Sequence, residues 1–255
     1  MRPTLVLVHG LMTAGWIWGD VRRRLGDRYR IRVVELPGHG GRAAPDGDVS
    51  LVSLACELAA VATRERPAVL VGLSLGAIAC AHAAARLGGE LAGLVLVAMP
   101  YHPETPDSRR RRQDTLEAIG RLGARPVLRG MAPWLFGSTT RRERPERIEE
   151  WLADAARLDP TAVVRTAQAA LHRPAAAAAL AAIRTPTLVV GGGEDELLLA
   201  DEPRLTAARI AGAAHCEIAG AGHMVPIERG DALAHVIERW LEGGLDARDG
   251  THRSL

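Results

Sequence analysis

Three polar residues, far apart in the chain, carry the chemistry this sequence could perform. Ser74 stands in "VLVGLSLGAIACAHAAA", Val69 to Ala85, inside the pattern Gly72-Leu73-Ser74-Leu75-Gly76. An apolar run ends at the pattern and an alanine-rich helical spacing follows it. A chain that turns so sharply from strand to helix strains the serine backbone and lifts its hydroxyl above the sheet edge. The flanking glycines let strand and helix pass without a Cβ clash. The helix N-terminus brings unpaired N–H groups beside the hydroxyl. A small residue in a tight bend is the plainer reading, and the strand before and helix after favour the nucleophile.

A serine hydroxyl needs a base. Of the nine histidines, His82 and His235 fall within helical patterns, His102 and His172 in a polar middle segment, and His252 near the end. His223 lies in "AGAGHMVPIERGDAL", a loop of small residues after a strand and before the last helix, on the rim where Ser74 sits. His215 falls in a weaker strand and reads as structural. The imidazole in turn needs an orienting acid. "TLVVGGGEDELL" offers Asp195 at another strand end, with Glu194 as runner-up. Serine, acid, histidine is the chain order expected when the serine sits at such a turn.

Strand ends must therefore supply all three groups. Continuous apolar runs at Leu5 to Val8, Ile31 to Leu36, Val69 to Leu73, Leu91 to Val97 and Leu188 to Val190 read as strands buried on both faces, with Ala213 to Ile218 a weaker sixth. Helical spacing occupies Ser50 to Thr63, with Ser50 as N-cap, Ala77 to Leu87, closed by Gly88-Gly89, and Asp231 to Leu241. This alternation implies an α/β fold, a mostly parallel doubly wound sheet. Between Tyr101 and Ile183 no strand is evident. Helical spacing around Thr115 to Leu122, Arg147 to Leu158 and Ala162 to Leu171 makes this a helical insertion between two strands. It holds 14 arginines against 10 acidic residues, a net +4, while the remainder holds 18 against 20. The organisation expected is a core of residues 1–100 and 184–243, an insertion at 101–183, and a frayed tail at 244–255.

Composition narrows the function classes. The 255 residues are 47% hydrophobic, enough for one sizeable core. All 32 basic residues are arginine, and lysine and asparagine are absent, which reflects a GC-rich genome. A net charge of +2 gives no case for nucleic acid. No metal-like spacing occurs, and no apolar run is long enough to span a bilayer. "MRPTLVLVHGL" ends without a small-residue cleavage site and reads as a strand rather than a signal peptide. Cys56, Cys80 and Cys216 show no paired spacing, so the expected location is the reducing cytoplasm.

Five stretches in order, "LVLVHG", "VVELPGHGGR", "GLSLG", "LVVGGGEDE" and "GAGHMVPIE", make the chain resemble the α/β-hydrolase superfamily over nearly its whole length. The resemblance implies a helical cap inserted after the sixth strand. It implies Ser74 as nucleophile, His223 as general base and acid, and Asp195 as orienting acid. The backbone N–H groups of Leu11 and Leu75 would form the oxyanion hole, and no metal or organic cofactor would be required. Ala77 stands where many relatives carry a second glycine. Glu35 stands where they usually carry Asp, and no chemistry is assigned to it. A serine nucleophile argues against the dehalogenases and epoxide hydrolases of this fold, which use Asp.

The implied activity is hydrolysis of an ester, thioester or lactone of a small-to-medium acyl substrate through an acyl-enzyme. Cleavage of carbon–carbon bonds in β-diketone-like substrates, or a slow-turnover small-molecule receptor, are the alternatives. Trp16, Trp134 and Phe136 are the candidate substrate-contacting residues, with Met131, Leu135 and Trp151 as further apolar cap residues that could equally be its core. The run Arg109 to Arg112 is either a solvated helix face or an attractor for a carboxylate, a coenzyme A ester or an acidic carrier protein.

Overall fold

The computed structural model describes residues 2–198 and 201–243. The expected tail at 244–255 lies outside the described residues. Six strands form one sheet: β1 Thr4–Val8, β2 Ile31–Val34, β3 Ala68–Leu73, β4 Gly93–Val97, β5 Thr187–Gly192 and β6 Ala214–Ile218. Their spatial order is β2-β1-β3-β4-β5-β6, and every neighbouring pair is parallel. The sheet is thus wholly parallel among the described residues, where the sequence suggested mostly so. Each of the first five strands is followed by a crossover long enough to return the chain to its starting edge, and such connections generate parallel pairs.

The strands β1, β3 and β4 are buried at every residue, which is why they read as unbroken apolar runs. Successive side chains alternate between two cores. Leu5, Leu7, Val69, Val71 and Val95 face one, and Val6, Val8, Leu70, Leu94 and Val189 face the other. The second core is covered by α2 Leu51–Arg64 and α3 Leu75–Leu87, the first by α1 Gly19–Leu25 and α12 Gly230–Leu241. Ser50 caps α2 through its hydroxyl, which accepts from the Ser53 N–H at 3.0 Å. Such a cap contributes about 1 kcal/mol.

Between β4 and β5 run six helices: α4 Pro106–Leu122, α5 Ala124–Leu135, α6 Ser138–Glu143, α7 Pro145–Ala155, α8 Pro160–Leu171 and α9 Ala177–Ala182. Two short helices, α10 Glu202–Ala207 and α11 Val225–Glu228, precede and follow β6. Four of the described strands precede these helices, which occupy the 101–183 stretch expected as the insertion. Apolar spacing marked α7, α8 and the second half of α4. The first half of α4 is mostly polar and charged, and is started instead by Thr105, which forms a capping box with Ser108. Pro133 lies inside α5, a residue that argues against a helix on local grounds.

The sheet order fixes where chemistry can sit. From β1 the chain goes to β2 on one side, and then to β3 on the other. The loops after β1 and β3 part at this reversal and open a crevice beyond the C-terminal strand ends.

Candidate active site

Ser74 occupies the turn between β3 and α3 with φ +51° and ψ −112°, a left-handed backbone that serine adopts only under constraint. Its N–H donates to the Val97 carbonyl at 3.0 Å, and its own carbonyl accepts from Ile78 at 3.0 Å. The two glycines of the pattern are required by space. A Cβ on Gly72 would meet the Ala77 backbone nitrogen at 2.6 Å, and one on Gly76 would meet the His9 carbonyl oxygen at 2.4 Å. Helix α3 can start on Ser74 only because both positions lack a side chain.

His223 leaves the loop between β6 and α11, and its Nε2 lies 3.0 Å from Ser74 Oγ. Its Nδ1 lies 2.9 Å from Asp195 Oδ2, beyond the end of β5. Ser74 is half-buried, while the side chains of His223 and Asp195 are 3% and 4% exposed. The second Asp195 oxygen accepts from the N–H groups of Leu197 at 2.9 Å and Leu198 at 3.1 Å. Burial alone would raise the Asp195 carboxyl. The adjacent His223 and these two N–H donors outweigh it and hold the group below the usual carboxylate range. Residues 149 apart in the chain are thereby joined in one hydrogen-bonded row from hydroxyl to imidazole to carboxylate.

Glu194, the alternative acid, faces elsewhere. It accepts from Ser138 Oγ at 3.0 Å and from the Thr139 N–H at 2.8 Å, which ties it to the start of α6. The loop after β1 passes against the serine: a Cβ on Gly10 would lie 3.4 Å from Ser74 Cβ. Leu11 follows that contact, and its N–H has no hydrogen-bond partner among the described residues. Leu75 is the first residue of α3, where N–H groups have no acceptor within the helix.

Sequence reasoning missed the supports of this loop. His9 is fully buried; its Nδ1 is 2.7 Å from the Gly10 carbonyl and its Nε2 accepts from the Leu36 N–H at 3.0 Å. Glu35, to which no chemistry was assigned, lies 3.0 Å from His9 Nε2 and accepts from the Gly15 N–H at 2.9 Å. Burial opposes ionisation of Glu35, but His9 and the Gly15 N–H hold its carboxyl below the usual range. Burial and nearby His9 push His39, 5.3 Å from the His9 ring, down to about 4. The glycine, histidine and glutamate in "VHG" and "VELPGHG" were visible as motif letters, but only the fold reveals that they meet.

The candidate substrate-contacting residues separate. Trp16 is half-buried and lines a cleft of about 200 Å³ with Thr13, Ala14 and, from the insertion, Ala155 and Leu158. Trp134 is 57% exposed, a surface residue rather than the wall of an enclosed pocket. Phe136 is 1% exposed and packs on Trp151, with ring centroids 5.2 Å apart. Both rings are buried in the core, so Phe136, a candidate substrate-contacting residue, has almost no accessible surface in this structure. Trp151 reaches back to the serine side, donating its indole N–H to the Met12 carbonyl at 3.1 Å. Met12 itself has φ +60° and directly follows Leu11.

A parallel sheet that presents a serine on a strained strand-to-helix turn, with a histidine and an acid on neighbouring strand ends, defines a class. The chain belongs to the alpha/beta hydrolase family, whose model matches residues 5–236. Among curated relatives, the pimeloyl-[acyl-carrier protein] methyl ester esterase of Xanthomonas campestris is 30% identical, the match covering 94% of this chain and 95% of that one. Among solved structures, a thermophilic esterase from Thermogutta terrifontis superposes with a TM-score of 0.88 at 28% identity, covering 96% of this chain and 91% of that one. The enol-lactonase of Burkholderia xenovorans shares the fold, with a TM-score of 0.86 at 21% identity over 95% of this chain and 92% of that one.

Proposed function

We propose that the chain is a serine hydrolase that cleaves a carboxylic ester of a small-to-medium acyl group through an acyl-enzyme. The observation that carries this reading is the row from Ser74 Oγ through His223 to Asp195, with spacings of 3.0 and 2.9 Å. His223 Nε2 takes the hydroxyl proton as Ser74 Oγ attacks the acyl carbonyl. Asp195 holds the proton on Nδ1 and stabilises the imidazolium that results. The N–H groups of Leu11 and Leu75 receive the oxyanion, and losing one such donor typically costs about 3–4 kcal/mol of barrier. The imidazolium returns its proton to the leaving alkoxide. Water, deprotonated by the same imidazole, then attacks the acyl-enzyme and releases the acid from Ser74.

The helices between β4 and β5 act as a cap in this reading. Trp151 holds the loop that carries Leu11, and the Leu135 carbonyl accepts from the N–H groups of His223 and Met224 at 3.0 and 3.2 Å. The first substrate to test is the methyl ester of an acyl chain carried by an acidic carrier protein, which the name of the Xanthomonas relative supports. Arg110 and Arg111 on α4 are exposed and have no acidic partner among the described residues, so they are free to meet such a carrier. Three unpaired cysteines support a reducing, cytoplasmic setting.

The test compares wild type and Ser74→Ala on p-nitrophenyl esters from acetyl to octanoyl, with each protein weighed intact after a fluorophosphonate. Many turnovers and a single label in the wild type, with neither in Ser74→Ala, is the expected result. A label retained in Ser74→Ala overturns the assignment.

A further inference from the structure

His223 is flanked by glycine and methionine whose N–H groups both end on one carboxylate. Glu228 closes α11, and its side chain folds back under the loop that precedes that helix. Glu228 Oε1 accepts from the Gly222 N–H at 2.9 Å and the Met224 N–H at 3.1 Å. Glu228 Oε2 accepts from the Gly137 N–H at 2.8 Å, at the junction of α5 and α6. Glu228 is fully buried, and no arginine donates to its carboxylate among the described residues. The guanidinium groups of Arg144 and Arg229 go instead to its main-chain carbonyl, at 3.0 and 2.8 Å.

Burying a carboxylate without a cation is costly, and an apolar residue would fill the same space more cheaply. What an apolar residue could not do is hold N–H groups on either side of His223 and on the insertion at once. Between Gly222 and Met224, the His223 N–H goes to the Leu135 carbonyl, so all three consecutive N–H groups are held. The fit is close enough that a Cβ on Gly222 would lie 2.4 Å from the Gly137 nitrogen.

We propose that Glu228 is a positioning residue that fixes the imidazole of His223 between Ser74 and Asp195 by tying its loop to the α5–α6 junction. This rests on the roles proposed above for Ser74 and His223. Glu228 touches no reacting atom and acts through the loop. It also makes the seating of the insertion a condition for a correctly placed base, because the same carboxylate holds both.

Glu228→Gln tests this. Glutamine keeps the shape and one oxygen, but its NH2 must then face an N–H, either that of Gly137 or those of Gly222 and Met224. Turnover of a p-nitrophenyl ester, fluorophosphonate labelling of Ser74 and the low-field proton resonance of the His223 Nδ1–H are measured in wild type and variant. With the imidazole displaced, kcat and the labelling rate are expected to fall about ten- to a hundredfold while KM stays within about twofold, and the resonance to shift or broaden. A folded Glu228→Gln that labels and turns over at the wild-type rate overturns the inference and leaves the serine mechanism standing. A wild type that does not label at Ser74 overturns the mechanism itself, and the inference with it. If Glu228→Gln does not fold, Glu228→Asp keeps the charge but is one methylene too short to hold the Gly137 N–H together with those of Gly222 and Met224, and it is expected to lower kcat about two- to fivefold with KM unchanged; an unchanged kcat overturns the inference.

Discussion

At the scale of the residue, Asp195 couples the site to the stability of the fold. Its carboxyl is held below the usual range in the folded protein, whereas an unfolded aspartate titrates near about 3.9. Its ionised form therefore stabilises the fold above that value, and the contribution disappears as pH falls through the folded value. Glu228 has the opposite sign, since burial raises its carboxyl and its share is lost as pH rises through the folded value. Asp195→Asn should accordingly flatten the loss of stability below about pH 4 in urea titrations, and should lower kcat by about 10³–10⁴ through the wrong imidazole tautomer. An acid limb as steep as that of the wild type would refute the first half. Ser74, Asp195 and His223 could be picked out in the sequence because each has a reactive side chain among small residues at the end of an apolar run. Glu228 could not. Its bond to Gly137 spans 91 positions and leaves no periodic trace, although the letter stands five places after the histidine in "GHMVPIE".

Elements differ in how much of themselves they write into sequence. Strands β1, β3 and β4 have both faces buried, so their runs are unbroken and easily read. The weaker strand β6 has exposed and half-buried positions in "AHCEI" because it is the edge of the sheet. Helices α5, α6 and α9 were missed: α5 contains a proline, and the other two are only six residues long. Strand β4 starts at Gly93, two residues after the apolar run begins, and the position is closed to a side chain because a Cβ there would lie 2.7 Å from the Trp240 ring. The turn into α3 is the element most sensitive to added volume. Gly76→Ala would force its new methyl against the backbone of His9, which cannot rotate away. The expected result is a loss of about 1–3 kcal/mol in stability, read from urea titration, together with a labelling rate at Ser74 reduced more than the stability alone explains.

Taken as a whole, the molecule carries +2, yet its insertion is the positive part. Much of that charge is internally matched. Arg112 pairs with Glu104, Arg125 and Arg129 with Glu149, Arg147 with Asp20, and Arg157 with Asp154. The remainder, unmatched among the described residues, includes Arg110 and Arg111, half of the run that sequence reading left between a solvated face and an anion attractor. The double variant Arg110→Glu, Arg111→Glu should lower kcat/KM about tenfold at low salt for a carrier-borne ester, and leave a neutral p-nitrophenyl ester unaffected. Equal losses on both substrates would assign these arginines to solvation.

The parallel sheet also sets the order in which the protein can become active during folding. Ser74 is in place once β3 meets β1, but His223 stands 149 positions later, beyond the edge strand β6. Pairings of such long range form slowly, because the intervening chain must be ordered before they give any return. During refolding, recovery of helix and sheet should run ahead of recovery of turnover, and on the proposed mechanism a nascent chain that has not yet released β6 holds Ser74 without its base. On that mechanism the serine is kept silent until the rest of the sheet has been built around it.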